Sequence, residues 1–201
     1  DELAKFSLRG DPNAEHKVRM ISHITDQAMC GEISFPDALE KRLDLLSISR
    51  DDVDEIRRHI STLVSDSFIE NRDAIRSMSD SIWILSGGFT EVITPIVSEF
   101  GISEDHVLAN RFTYSDERVT GCDRDSDLCK DKGKIRAIEN LNLDRDIIMI
   151  GDGFTDYEVY RENAAKAFIC YTENVSRDSV VRLSRYQAKS FGQVLDIVKK
   201  I

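Results

Sequence analysis

Between Asp146 and Asp156 the chain reads Asp-Ile-Ile-Met-Ile-Gly-Asp-Gly-Phe-Thr-Asp, and this stretch constrains the fold more than any other. Ile147 to Ile150 are consecutive apolar residues, mostly β-branched, which suits a strand covered on both faces. Gly151 and Gly153 permit a tight exit that delivers Asp152 and Asp156. Carboxylates at the end of a buried parallel strand stand where α/β sheets hold their ligands. Asp156 also suits a helix cap. Capping alone does not explain glycines on both sides of Asp152, so the loop reads as an acidic turn of the metal-binding kind.

Upstream, from Asp1 to about Met78, the pattern is helical. Leu3, Phe6 and Leu8, then Val18, Ile21, Ile24, Ala28 and Met29, then Phe35, Ala38, Leu39, Leu43 and Leu46 recur near the 3.6-residue period. Pro12, the segment Gly31 to Pro36, and Ser49 with Asp51 and Asp52 mark the breaks, and the short connections predict a bundle. At Ser81 the period changes. Ile82 to Leu85 reads as a strand, Ser86-Gly87-Gly88 as a turn, and Val92, Ile93, Ile96 and Val97 as a helix. A strand over His106 to Phe112, a hairpin around Asp116-Glu117 and a polar loop from Gly121 to Asp131 follow. Helix is expected at Lys132 to Leu141, Phe154 to Glu162, Ser176 to Ser184 and Gln193 to Lys200, with strands at Ile147 to Asp152, Ala167 to Tyr171 and near Ala188. The alternation implies βαβ units. The expected fold class is α/β: a parallel Rossmann-like sheet core over residues 79–201, with an inserted helical-bundle cap over residues 1–78.

A chain of 201 residues with 41% hydrophobic content can bury one substantial core and carry a small extra subdomain. Its formal charge of −10 argues against a nucleic-acid partner, which needs clustered Lys and Arg. A phosphate ligand would have to be recruited by local cations against that field. The longest apolar runs fall far below the roughly 20 residues that span a bilayer, so no membrane partner is expected. Cys30, Cys122, Cys129 and Cys170 form no CxxC pair, and no histidine lies near them at zinc-like spacing. Reduced thiols in a cytoplasmic protein are the default, although Cys122 and Cys129, in one polar loop, could pair or bind metal. No signal peptide is visible, and nothing in the sequence sets the oligomeric state.

Three sites fall at strand ends or helix starts: Ser86-Gly87-Gly88, Lys132-Gly133-Lys134 and Gly151 to Asp156. A hydroxyl with free backbone N–H groups at a helix start can hold a phosphate, lysine adds a compact positive charge, and carboxylates hold Mg²⁺. With these pieces in this order, the chain resembles the haloacid dehalogenase-like phosphatases, and among them the branch that acts on phosphoserine. The likeness includes Asp1-Glu-Leu-Ala-Lys5, Leu39-Glu-Lys-Arg42-Leu43, Leu85-Ser-Gly-Gly-Phe89, Ala109-Asn-Arg111, Lys132-Gly-Lys134 and Ile148 to Asp156.

That resemblance implies a Mg²⁺-dependent phosphomonoesterase hydrolysing O-phosphoserine through an aspartyl-phosphate. It implies that Ser86, Gly87 and Gly88 hold phosphate oxygens and that Lys132 neutralises the phosphoryl group and the nucleophile. Asp152 would bind Mg²⁺ with Asp156 behind it, and Thr155 and Arg177 would contact the phosphoryl group. The helical block would be the cap, with Arg42 pairing the substrate carboxylate and Met29 and Phe35 lining the substrate. Helical spacing suits Met29 and Phe35 to core packing as well, and Arg177 also reads as part of an ordinary helix start. Cys30 stands where the family often has glycine. The family's first motif, a strand ending in Asp-x-Asp-x-Thr or a close variant that supplies the nucleophile, does not occur in these residues. Asp52-Val-Asp54, Asp123-Arg-Asp125 and Asp144-Arg-Asp146 fail on context, so that strand is expected upstream of Asp1, lying between the strands that carry Ser86 and Asp152. The alternatives are a phosphatase for another small phosphorylated metabolite and a non-catalytic phosphate-binding module.

Overall fold

The computed structural model describes residues 2–201. Six helices open it: α1 (Glu2–Ser7), α2 (Ala14–Met29), α3 (Phe35–Asp44), α4 (Arg50–Ser61), α5 (Asp66–Glu70) and α6 (Arg72–Ser77). Their starts follow capping chemistry. Ser34 Oγ accepts the Asp37 N–H ahead of α3, where Pro36 presets the first turn. Ser49 and Asp52 close a reciprocal capping box on α4, with bonds of 3.1 Å and 2.7 Å.

The remainder alternates: β1 (Ile84–Phe89), α7 (Thr90–Ser98), β2 (Val107–Asn110), β3 (Phe112–Ser115), β4 (Arg118–Cys122), α8 (Gly133–Leu141), β5 (Ile148–Gly151), α9 (Phe154–Arg161), β6 (Ala167–Tyr171), α10 (Asp178–Val181), β7 (Tyr186–Ala188) and α11 (Phe191–Val198). β1 pairs β2 in parallel, and β5, β6 and β7 form a parallel ladder in that order. The expected strand over His106 to Phe112 is broken at Arg111. Its second half turns into an antiparallel hairpin, β3 with β4, around Asp116, whose φ of 51° is left-handed. The molecule is thus α/β with parallel strands, as its sequence predicts.

Packing joins the two halves. Leu39, Ile48, Val53 and Ile56 of the helical half share one buried cluster with Phe89, Val92 and Phe112 of the strand half. The hairpin also bonds to the helical half through backbone: the Val119 N–H donates to the Ile48 carbonyl at 2.9 Å. α5 and α6 turn the other way, placing Phe68 and Ile75 against Phe100, Ile102 and Phe191. A further cluster, with Ile138, Met149, Val159, Phe168 and Val180, seats α8, α9 and α10 on β5 and β6.

Among the described residues no ladder joins β1 to β5. Each is hydrogen-bonded on one side only, and a cavity of about 580 Å³ touches both, lined by Leu85 to Phe89 and by Ile150 to Asp152. Two expectations change there. β5 is not covered on both faces: Met149 is buried, but Ile150 is 37% exposed because it opens on this cavity. Ser86, Gly87 and Gly88 do not follow the strand as a turn but lie inside β1, where the ladder with β2 slips between Ser86 and Phe89. No helix among the described residues is long and apolar enough to cross a membrane.

Candidate active site

The slip in β1 frees backbone from the ladder at its carboxyl end, next to the start of α7. The Gly88 N–H donates to Ser86 Oγ at 3.0 Å. Asn110, wholly buried at the end of β2, donates Nδ2–H to the Gly87 carbonyl at 3.0 Å, and its Oδ1 accepts from Ser126 Oγ at 3.4 Å. A buried amide satisfied at both ends holds the turn and the loop before α8 in one frame.

In the first turn of α9, just past β5, Asp156 is buried (6% exposed) and does two jobs. Its Oδ2 accepts the Gly153 N–H at 3.0 Å, the helix-capping role, while Oδ1 meets the Lys134 ammonium. Space explains the glycines: a Cβ on Gly151 would stand 2.2 Å from Asp156 Cγ, and one on Gly153 would stand 2.7 Å from Met29 Sδ. Asp152 remains half-exposed and pairs with Arg177, whose guanidinium also lies 3.8 Å from Asp26 of α2.

The two lysines of Lys132-Gly133-Lys134 part company. Lys134, only 17% exposed, reaches the acidic turn. Lys132, the residue singled out in the sequence, caps α8 in a left-handed conformation (φ 54°), with its ammonium 3.4 Å from Glu162. Hydrogen bonds from Arg161 first, and then Lys132, hold the Glu162 carboxyl below its usual range. Both lysines line a pocket of about 240 Å³ with Gly87, but the left-handed turn at Lys132 and the helical position of Lys134 give them different partners.

From the helical half, Arg42, Met29 and Phe35 line the same 580 Å³ cavity as Ser86, Gly88, Asp152 and Asp156. Arg42 donates to the Ala38 carbonyl and to Thr25 Oγ1, and its guanidinium centre sits 5.8 Å from the Phe35 ring. No ion pair involves Arg42 among the described residues, and burial pulls its guanidinium down from the usual range. Lys132 and Thr155 instead line an adjoining pocket of about 240 Å³, with Gly87 and Phe35 belonging to the rims of both.

Asp152 and Asp156 offer hard oxygen donors of the sort that hold Mg²⁺, an ion that takes one or two carboxylates and completes its shell with water and phosphate. Both are engaged by cations in this structure, and no cluster of three or more His, Cys, Asp or Glu that could hold a metal occurs among the described residues. The donors fit Mg²⁺ as part of a shell that other groups complete. Lys134, Asn110 and Asp26 were not singled out in the sequence. The first two sit inside the triplets Lys132-Gly-Lys134 and Ala109-Asn-Arg111, whereas nothing local marks Asp26.

Known proteins resemble this chain over most of its length. A phosphoserine phosphatase of Drosophila melanogaster is 31% identical over 97% of the chain and 70% of its own length. The chloroplastic phosphoserine phosphatase of Arabidopsis thaliana is 30% identical over 90% of the chain, which spans 60% of that relative's length. A solved phosphoserine phosphohydrolase-like protein from Francisella tularensis superposes with a TM-score of 0.84 at 29% identity, covering 95% of this chain and 88% of its own. The sequence model of the haloacid dehalogenase-like hydrolases matches residues 9–161, and the chain belongs to that family.

Proposed function

We propose that the protein is a Mg²⁺-dependent phosphomonoesterase that hydrolyses O-phosphoserine to serine and phosphate. The observation that carries this reading is Arg42: a half-buried cation with no carboxylate partner among the described residues, lining the cavity that holds Ser86 and Asp152. A desolvated guanidinium is costly until an anion meets it, and its planar fork matches a carboxylate. A substrate carrying phosphate at one end and carboxylate at the other satisfies both ends of the cavity. The phosphoserine phosphatases among the relatives support that choice.

In this mechanism the Ser86 hydroxyl and the Gly87 and Gly88 amides take the phosphate oxygens, and Lys132 exchanges its exposed Glu162 partner for the phosphoryl charge. Lys134 stays with Asp156 as its counter-ion. Asp152, with Asp156 behind it, would hold Mg²⁺, which when bound would supply charge neutralisation to the phosphoryl oxygens. Thr155 and Arg177 complete the surround. Helices α1 to α4 serve as the cap, Met29 and Phe35 excluding water from the ester. The attacking aspartate belongs to a strand seated between β1 and β5, where both neighbours have an unpaired edge. Phosphoryl transfer to it and hydrolysis of the aspartyl-phosphate complete the turnover. A cytoplasmic location suits a metabolite substrate.

The test compares O-phosphoserine with phosphoethanolamine, which lacks the carboxylate, in the full-length protein and its Arg42→Ala variant. Wild type should prefer phosphoserine, and the variant should lose on the order of 10- to 100-fold in kcat/KM on phosphoserine alone. An unchanged preference would sink the substrate assignment. Phosphate binding without turnover of any monoester would favour a binding module.

A further inference from the structure

We infer that Cys122 and Cys129 form a reversible disulfide that clamps the β3–β4 hairpin to the loop leading into Lys132. Cys122 ends β4, opposite Phe112, and Cys129 ends the 3-10 turn Asp127–Cys129. Both are reduced in this structure, with their sulfurs 2.6 Å apart. Ordinary contact between heavy atoms falls at roughly 3.5 to 4 Å. The two sulfurs therefore stand well inside ordinary contact, where the end of the hairpin meets the 3-10 turn, and a small approach completes a bond. Cys170 is buried in the sheet, and the Cys30 sulfur has Ser179 Oγ as its neighbour at 3.6 Å, so neither competes for this pairing.

Access is built in. Both thiols line an open groove of about 830 Å³ in which Lys130 also stands. Burial pushes the Cys129 thiol up to about 12, with the neighbouring Cys122 sulfur as the next cause. With a small-molecule disulfide of the glutathione class as oxidant, the thiolate of one cysteine displaces one small thiolate and becomes a mixed disulfide. The other cysteine then attacks the protein sulfur of that mixed disulfide and expels the second thiolate. Two protein thiols are oxidised, one small disulfide is reduced to two thiols, and the two protons pass to those thiols.

The clamp matters because the segment from Asp127 to Gly133 is one tight unit. A Cβ on Gly133 would stand 2.2 Å from the Asp127 carbonyl oxygen, and the Gly133 N–H donates to the Lys130 carbonyl at 3.2 Å. Fixing Cys129 fixes the left-handed turn at Lys132. The pairing concerns the thiols alone and stands apart from the substrate assignment.

The full-length protein is incubated with oxidised glutathione, blocked with iodoacetamide and digested with trypsin, which cleaves after Arg118, Arg124 and Lys130. Peptides 119–124 and 125–130 should appear joined, lighter than their sum by two hydrogen atoms, and separate on reduction. Cys129→Ser should instead keep a glutathione adduct on Cys122. Amide exchange over residues 123–133 should slow in the oxidised wild type and not in the variant. Separate adducts on both cysteines, a bond from either to Cys30, or unchanged amide exchange would each overturn the inference.

Discussion

The tip of the Phe35 ring lies against Gly87, so close that a Cβ there would come within 2.2 Å of Phe35 Cζ. This contact forms the shared wall between the two site pockets. Gly87→Ala should displace the ring, which can swing, at a cost of about 1 kcal/mol. Gly133→Ala meets the Asp127 carbonyl, which is backbone and cannot swing, and should cost about 3 kcal/mol. Denaturant unfolding of both variants checks the order, and a larger loss for Gly87→Ala would refute this account of the wall.

Lys132 and Lys134 should separate binding from stability. Removing Lys134 leaves the buried Asp156 carboxylate without its cation, and Lys134→Met should cost about 3 kcal/mol. Lys132 pairs with Glu162 at the surface, so Lys132→Met should change stability by less than about 0.5 kcal/mol. Its effect should appear as weaker inhibition by inorganic phosphate. Unfolding curves together with phosphate inhibition constants read both, and equal destabilisation by the two changes would contradict the assignment.

Asn110 should matter out of proportion to its position outside the cavity lining. Asn110→Leu removes the donor to the Gly87 carbonyl and the acceptor for Ser126, leaving buried polar groups unpaired at about 1–3 kcal/mol. Asn110→Asp keeps the acceptor and loses the donor. If the amide positions the phosphate turn, both variants raise KM for phosphoserine while remaining folded by circular dichroism. A KM that stays put would confine Asn110 to a packing role.

Acid stability should report the contact between α5 and the loop after β6. The Ser67 hydroxyl, first, and the Tyr171 hydroxyl, second, donate to Glu173 and hold its carboxyl below the usual range. A depressed folded value contributes stability that is present above the unfolded pKa, about 4.3, and is lost as pH falls through the folded value. Ser67→Ala should therefore cost roughly 0.5–1.5 kcal/mol at pH 7, and its deficit should shrink as pH falls below about 4.3. A deficit that grows with acid would reverse the assigned sign.

Much of this architecture is legible locally. The apolar run ending in Gly-Asp-Gly forms a strand, though one left open at Ile150, and the capping pair Ser49 and Asp52 and the hairpin at Asp116, each dependent on a few neighbouring residues, form as read. Strand limits were less legible. Glycine reads as punctuation in a one-dimensional pattern, yet Gly87 and Gly88 sit inside β1 because a parallel partner, β2, tolerates the slip.

The sequence by itself determined the periodicities, the caps and the placement of Asp152 just past a strand with Asp156 in the helix turn after it, since backbone preference acts over a few residues. Only the tertiary structure decided that Lys134 meets Asp156, that Phe35 covers Gly87 and that Arg177 spans Asp152 and Asp26. Those pairings join residues whose chain neighbours carry no trace of the partner. They arise when helices and strands pack, and packing fixes which side chains share a space too small for water.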